Sequence, residues 1–540
     1  MGYILLWIET MAVLVLLVAY LTAVGARRRQ RRAQVLWAVL PAGLLLLGAV
    51  LKAAGIGVLM SYRIITSWWL VYMIAWTVVY AAIAARLIAD GLRRGEDGAP
   101  RARAWSAGRL GVAAGAALAL TLITFWNVDL AAKTRLAGLR AEAGALAMSA
   151  APPRVPDRQN AALVYQQAFD ALGKQERLSE EAQEKLDGWL SPKPGTRLDP
   201  TDPDLAAFLE KQQPTLALLR RAAAMPDCYF EHNYAQPSFD MLLPELAPLR
   251  RGAALLAFDA RVRAARQDAR GALEDVGAVF AMAGHLRSEP VVISVLVAAS
   301  ASNIGVAALE DVLATARPKA EDLEVLKLDE PSPYLRSVAQ AFRMEQAVVL
   351  SFFIVLSEGS DREALSAAHP PQAFFCEPFT SIWRVFLLPD DIMSYRRVMH
   401  RYTVLASRPY HETHTDWKQQ DADLRLAEVG LFTRMLVPAL SSCGKRAAET
   451  DAQYRLACTA LAAEKYRAKT GQPPARLDAL VPDYLDAVPM DPFDGKPLRM
   501  AVSQGGILLY SIGPGLKDEG GAPWDSQNHT GNITFRLPAR

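Results

Sequence analysis

The densest group of side chains able to hold a metal or move a proton is the run HETHTD, with His411, Glu412, His414 and Asp416, and with His400 upstream as a third imidazole. Such a group could activate a metal-bound water for hydrolysis. A helical zinc site, however, places its histidines at i and i+4 with the glutamate between them, so that both rings meet one ion. Here the two histidines stand at i and i+3, just after Pro409, and the run reads as a solvated polar turn. It lies in a stretch, residues 358–420, rich in proline and aromatic residues, which reads as long ordered loops or short helices. The adjacent acids Glu274 and Asp275, and Asp390 and Asp391, read as helix-surface or capping carboxylates rather than an acid/base pair. No G-x-S-x-G elbow, phosphate loop or dinucleotide fingerprint is present, and no catalytic residue is assigned.

The elements that would position these residues divide sharply by composition. Residues 1–127 are overwhelmingly apolar, whereas 128–540 carry the mixed charge of a water-exposed chain. Four apolar runs, about 3–24, 35–59, 67–89 and 107–127, each match the roughly 20 helical residues that cross a bilayer core. The first runs directly into RRRQRR and lacks a basic leader, so it is expected to stay as a span rather than be cleaved.

Arginines crowd the loops after the first span (Arg27, Arg28, Arg29, Arg31, Arg32) and after the third (Arg93, Arg94, Arg101, Arg103, Arg109), while the loop between the second and third spans has only Arg63. Basic residues in short loops stay cytoplasmic. The expected topology therefore puts the N-terminus outside an inner (plasma) membrane and residues 128–540 on the extracytoplasmic side. Within the spans, Glu9 and Lys52 fall at similar depth, and the cost of a lone intramembrane charge predicts that they pair. All four cysteines, Cys228, Cys376, Cys443 and Cys458, lie in the exported part; two disulfides are permitted there, with free buried thiols as the alternative. The charge balance of 59 basic to 56 acidic residues has no basic stripe and excludes a nucleic-acid partner.

From 128 to 440 the chain reads as an α-helical domain. Asn160 caps a helix over AALVYQQAFDAL, the QDARG of 267–271 breaks one helix and starts another, and SEP at 288–290 stops that one. The segment AARQDARGALEDVGAVFA resembles the turn of a tetratricopeptide-type hairpin; without a 34-residue period the expectation is an irregular run of antiparallel helices. From 441 to 540 come a long helix ending at Gly471, a short leucine-bearing helix, and two strands, PLRMAV and ILLYSI, joined by SQGG in a β-hairpin, with NITFRLP as a last strand. The fold class is thus mainly α: four transmembrane helices, an extracytoplasmic helical domain and a small α+β module.

In this last module the order YRAKTGQPP, LDALVPDYL, DPFDGKPLRM, ILLYSIG and a glycine-rich acidic loop resembles the head of the type II secretion major pseudopilins. The whole chain is similar to multi-span membrane proteins of planctomycete-like bacteria. The pseudopilin resemblance implies a calcium-binding loop, with Asp518, Glu519 and Asp525 as candidate ligands and Gly513, Gly515, Gly520 and Gly521 turning carbonyls inward. Two acidic positions of the family are Gly515 and Asn532 here, so the loop is expected to be held by its glycine turns and flanking strands, without a cofactor. Four spans in place of one N-terminal helix speak against assembly into a pilus. The expected function is a membrane-anchored envelope scaffold or binding protein with envelope-protein partners. The alternatives are an envelope metal-assisted hydrolase using the 400–416 cluster, and a small-solute transporter or sensor.

Overall fold

A computed structural model describes residues 130, 134, 136–173, 202–328, 334–358, 388–426 and 430–539, apart from 239, 240, 242, 438, 439, 504, 505, 526 and 529. The four expected spans, with Glu9 and Lys52, lie outside the described residues. The chain divides into two compact units, residues 1–138 with 371–390, and residues 139–370 with 391–540. The second unit is mainly helical, with a small antiparallel sheet at its C-terminal end.

Its helices begin and end where local chemistry dictates. Helix α1 (Ala161–Gly173) is capped by Asn160, whose Oδ1 accepts from Ala162 N at 3.1 Å and from Tyr229 N at 2.9 Å. One side chain thus satisfies an orphan helix donor and ties in the chain some 70 residues later. Helix α2 (Pro203–Ala223) starts behind an Asp202 cap. Helices α3 (Leu246–Ala265) and α4 (Ala269–Arg287) form the hairpin expected around QDARG: Gln267 takes the left-handed conformation, and Asp268 accepts from Gly271 N at 3.0 Å to start α4. Ser288 then caps the end of α4.

Helices α5 (Val292–Thr315) and α7 (Tyr334–Glu358), separated by the single turn α6 (Ala320–Leu323), are long and apolar enough by length and composition to cross a membrane. Within the unit, 61% of the apolar window of α5 and 67% of that of α7 is buried. A helix apolar on all sides needs neighbours on all sides. Helix α5 finds them in α3, α4, α7 and the last helix of the chain, and is the central post of the unit.

The region 358–420, expected as long ordered loops or short helices, forms long helices where it is described. Helices α8 (Leu388–Ala406) and α9 (Tyr410–Leu426) are 19 and 17 residues long, followed by α10 (Leu431–Leu436). Pro409 immediately precedes α9, where its missing N–H and fixed φ are compatible with a helix start. The aromatic residues that suggested loops are the packing surface instead: Phe342 of α7, Tyr402 of α8 and Trp417 of α9 lie within 6.3 Å of one another by ring centroid.

Helix α11 (Cys443–Thr470) ends on the expected left-handed Gly471. It packs on α5, α7 and α9 with one side and on the sheet with the other, so helical body and C-terminal module share it. Gly444 allows the closest of these approaches, since a Cβ there would meet the buried Trp417 ring at 2.5 Å. The sheet is β1 (Arg499–Ser503), β2 (Gly506–Ser511) and β3 (Ile533–Pro538), antiparallel in the order β1-β2-β3, with Met500 opposite Leu509 and Leu509 opposite Phe535. Leu509, Phe535 and Leu537 are buried and face the core.

Candidate binding cleft

Between α5, the first half of α11 and the C-terminal module lies a cleft of about 750 Å³. Leu296, Ile304 and Ala307 of α5 form one wall, Arg446 and Gln453 of α11 the other, and Trp524 with the start of β3 closes one end. Arg261 of α3 also reaches it, but its Nε is held by Asp311 at 2.6 Å. Glu449 on the α11 wall pairs with Lys445 at 3.7 Å. Arg446 is exposed, and its guanidinium makes no hydrogen bond or ion pair among the described residues. Glu449 feels the charges of both Lys445 and Arg446, and Arg261 is matched by Asp311, so the two cations around Glu449 leave the cleft with one net positive charge over mixed apolar and amide walls.

The loop that closes the cleft is braced by Asn532. This fully buried residue stands where the pseudopilin resemblance has an acid. Its Oδ1 accepts from Glu519 N at 3.1 Å and Gly521 N at 2.9 Å, and its Nδ2 donates to Ile512 O at 3.1 Å and Lys517 O at 2.9 Å. Two acceptor sites and two donors exhaust a carboxamide. Gly521 can only be glycine: its φ is +82°, and a Cβ would meet Leu508 at 2.5 Å. At the other end of the loop Asp491, fully buried, accepts from Phe493 N, Ser511 Oγ, Ile512 N and Arg499 Nη1 at 2.8–3.2 Å. Burial raises its carboxyl above the ordinary range, against the hydrogen bonds from Phe493, Ile512 and Ser511, which lower it.

The three candidate calcium ligands are dispersed into separate roles. Asp518 Oδ2 accepts from Arg499 Nε and Oδ1 from Gly520 N, both at 3.0 Å. This backbone bond, with the Arg499 charge, holds its carboxyl below the usual range. Asp525 is spent on Gln527 N at 2.8 Å and Asn528 Nδ2 at 2.7 Å, and Glu519 contributes its backbone N–H to Asn532. Among the described residues no group of three or more His, Cys, Asp or Glu is arranged to hold a metal ion. In the full-length protein, millimolar calcium in place of chelator should leave the melting temperature unchanged within about 1 °C, and Asn532→Asp should cost about 2 kcal/mol, because a carboxylate cannot donate to the two carbonyls left facing it. A calcium-dependent rise of several degrees in the wild type would show that the loop is a cation site.

HETHTD sits on α9, away from the cleft. The His411 ring packs over Gly495, where a Cβ would lie 2.7 Å from it, and His414 Nδ1 lies 3.1 Å from His411 O. Glu412 pairs with Arg408 at 3.1 Å, and His400 is exposed on α8. The i,i+3 spacing leaves the imidazoles with different partners. Of the acid pairs, Glu274 is on the surface and pairs with Arg270 at 3.2 Å, but Asp275 corrects the expectation. It is fully buried and meets Arg220 Nε at 2.5 Å and Arg263 Nε at 3.2 Å, with Asp259 completing the network. Asp391 is also fully buried, and its carbonyl accepts from Ser394 Oγ and Thr433 Oγ1. The described cysteines, Cys228, Cys443 and Cys458, are buried and not in disulfides; Cys376 lies outside the described residues.

A second buried polar group has no sequence signature. Tyr234 OH donates to Glu289 at 2.5 Å, and His232 Nε2 lies 3.2 Å from Glu245 Oε1. Burial would lower the His232 pKa, but the Glu245 hydrogen bond and the charges of Glu289 and Glu245 raise it; burial raises that of Glu289 more than Tyr234 and His232 lower it. The group ties Tyr234 to Glu289, just past the end of α4, and His232 to Glu245, just before α3, and is separate from the cleft. The cleft residues were equally invisible, since Arg446, Ala307 and Thr534 are ordinary surface types far apart in the chain. Compared with known proteins, this chain matches no family model, no curated protein and no solved structure.

Proposed function

We propose that the protein is a membrane-anchored binding or scaffold protein of the cell envelope, carrying its exported helical body and C-terminal module on the four N-terminal spans. The observation that carries this reading is the cleft at the junction of α5, α11 and the module, away from the histidine run. Binding sites favour concave junctions between substructures, and here the junction is built on α11, which packs on both. The hydrolase reading is weaker: among the described residues its imidazoles converge on no common point.

A photo-crosslinking side chain placed at Ala307, exposed on the cleft wall, should give a discrete adduct in native membranes, whereas one placed at His400 should give none. Adducts at neither position, together with a metal-dependent hydrolysis abolished by His411→Ala, would replace the binding reading with the enzymatic one.

A further inference from the structure

The outer edge of β3 is covered at two of its three outward-facing positions, and the third opens into the cleft. Arg536 N donates to Glu310 Oε1 of α5 at 2.9 Å rather than to β2. Arg536 therefore forms a non-hydrogen-bonded pair with Leu508, and the antiparallel alternation gives the same outward direction to Thr534 and Pro538. Pro538 O is taken by Arg467 Nη1 of α11 at 2.8 Å. Native sheets cover or cap their edges because a free row of N–H and C=O groups is a template for another strand, and here the helical body supplies both caps. Among the described residues Thr534 receives none. Its N–H and C=O point away from β2, it is half-buried, and it lines the cleft.

A backbone donor and acceptor side by side on a strand edge complement the backbone of an extended peptide. The remaining features of the cleft suit the same ligand. Leu296, Ile304 and Trp524 offer apolar contact for alternate side chains, and Arg446, whose charge also acts on Glu449, makes no direct ion pair among the described residues. Arg261 is neutralised by Asp311, and Glu449 is paired with Lys445. We infer that the cleft takes a short extended peptide bearing a carboxylate, with its backbone added to β3 at Thr534 and its carboxylate at Arg446. Glu310 on Arg536 to one side, and Ala522 O on Asn532 N at 2.7 Å to the other, limit the backbone addition to the N–H and C=O of Thr534. This inference rests on the reading of the cleft as the binding site and names the ligand class for it.

The test uses the full-length protein in lipid nanodiscs and a library of random heptapeptides with free C-terminal carboxylates. Selection should enrich peptides that bind the wild type at least 10-fold more tightly than their amidated, acid-free counterparts. Arg446→Glu, a change on the exposed face of α11, should lose that binding by at least 10-fold and instead accept lysine-bearing peptides. Thr534→Pro removes the outward N–H at an edge position where proline is tolerated. It should also lose binding by about 10-fold; the same melting temperature as wild type would show that its fold is intact, and Arg446→Glu decides the matter if it is not. No enrichment, or enrichment unchanged in Arg446→Glu, overturns the inference. If the crosslinker at Ala307 still gives its adduct in that case, the cleft binds a different class of ligand; if that adduct is absent too, the binding reading falls with it.

Discussion

Replacing Arg220 by methionine is expected to lower the stability of the helical unit by about 3–5 kcal/mol, the usual cost of removing one partner from a buried ion pair. Arg220 on α2 joins Asp275 of α4 through Nε at 2.5 Å and Nη2 at 3.1 Å, and Asp259 of α3 through Nη2 at 2.5 Å. Both carboxylates are buried, at 0% and 3% exposure. Burial alone would lower the Arg220 pKa, but the hydrogen bond and charge of Asp275, with those of Asp259, raise it, so the guanidinium is charged at every working pH. Without it Arg263 is left to balance two buried acids. The chain cannot expel them, because α3 and α4 are packed through Leu256, Leu273 and Val276, all fully buried. Thermal melting of the full chain should fall by about 10 °C. The double change with Asp275→Leu should recover part of the loss, because the remaining cost is that of an uncompensated charge rather than of the missing contact. A loss under about 1 kcal/mol for the single change would mean that the network is solvated and does not bind the three helices together.

Asp451 is expected to make the protein less stable as pH rises from acid to neutral. This residue of α11 is 6% exposed, and its Oδ1 accepts from Tyr334 N, at the start of α7, at 3.3 Å. Burial pushes its carboxyl up to about 7, more than the Arg455 and Arg287 charges and the Tyr334 hydrogen bond pull it down. The unfolded carboxyl titrates near 3.9. A group with a raised folded pKa contributes stability that is fully present below the unfolded value and is lost as pH rises through the folded one, here between about pH 4 and pH 7. The span corresponds to about 4 kcal/mol at most. In Asp451→Asn the amide oxygen can still accept from Tyr334 N, so the variant should match the wild type at pH 4 and exceed it by several kcal/mol at pH 8, read as urea midpoints across pH. Equal midpoints at pH 8 would mean that the carboxylate is charged and compensated in the fold.

Much of the secondary structure was legible in the sequence because its signals are local. Asn160, Asp268 and Gly471 cap helices by contacts within a few residues, and the hairpin of β1 and β2 comes from alternation around SQGG. The same locality misled within 358–420, read as long loops or short helices. Proline and aromatic residues there mimic loop composition, but Pro409 sits just ahead of a helix and the rings of Tyr402 and Trp417 are core, a distinction made only by the groups packed opposite them. Asp275 carries the same limit: a carboxylate on a helix is a surface residue unless an arginine from another helix meets it.

Local patterns in the chain dictate the mainly helical class, the helix boundaries at caps and breakers, and the antiparallel strands of the C-terminal module. Packing across the chain assigns α11 to the helical body and the module at once, spends the Asn532 amide on bracing the acidic loop, and brings Arg446 and Thr534 to one cleft. Caps and periodicity act over a few residues, whereas burial, charge compensation and the covering of a strand edge depend on groups brought together from positions hundreds of residues apart. Glu310 meeting Arg536 across 226 residues is such a contact, and no spacing in the sequence encodes it.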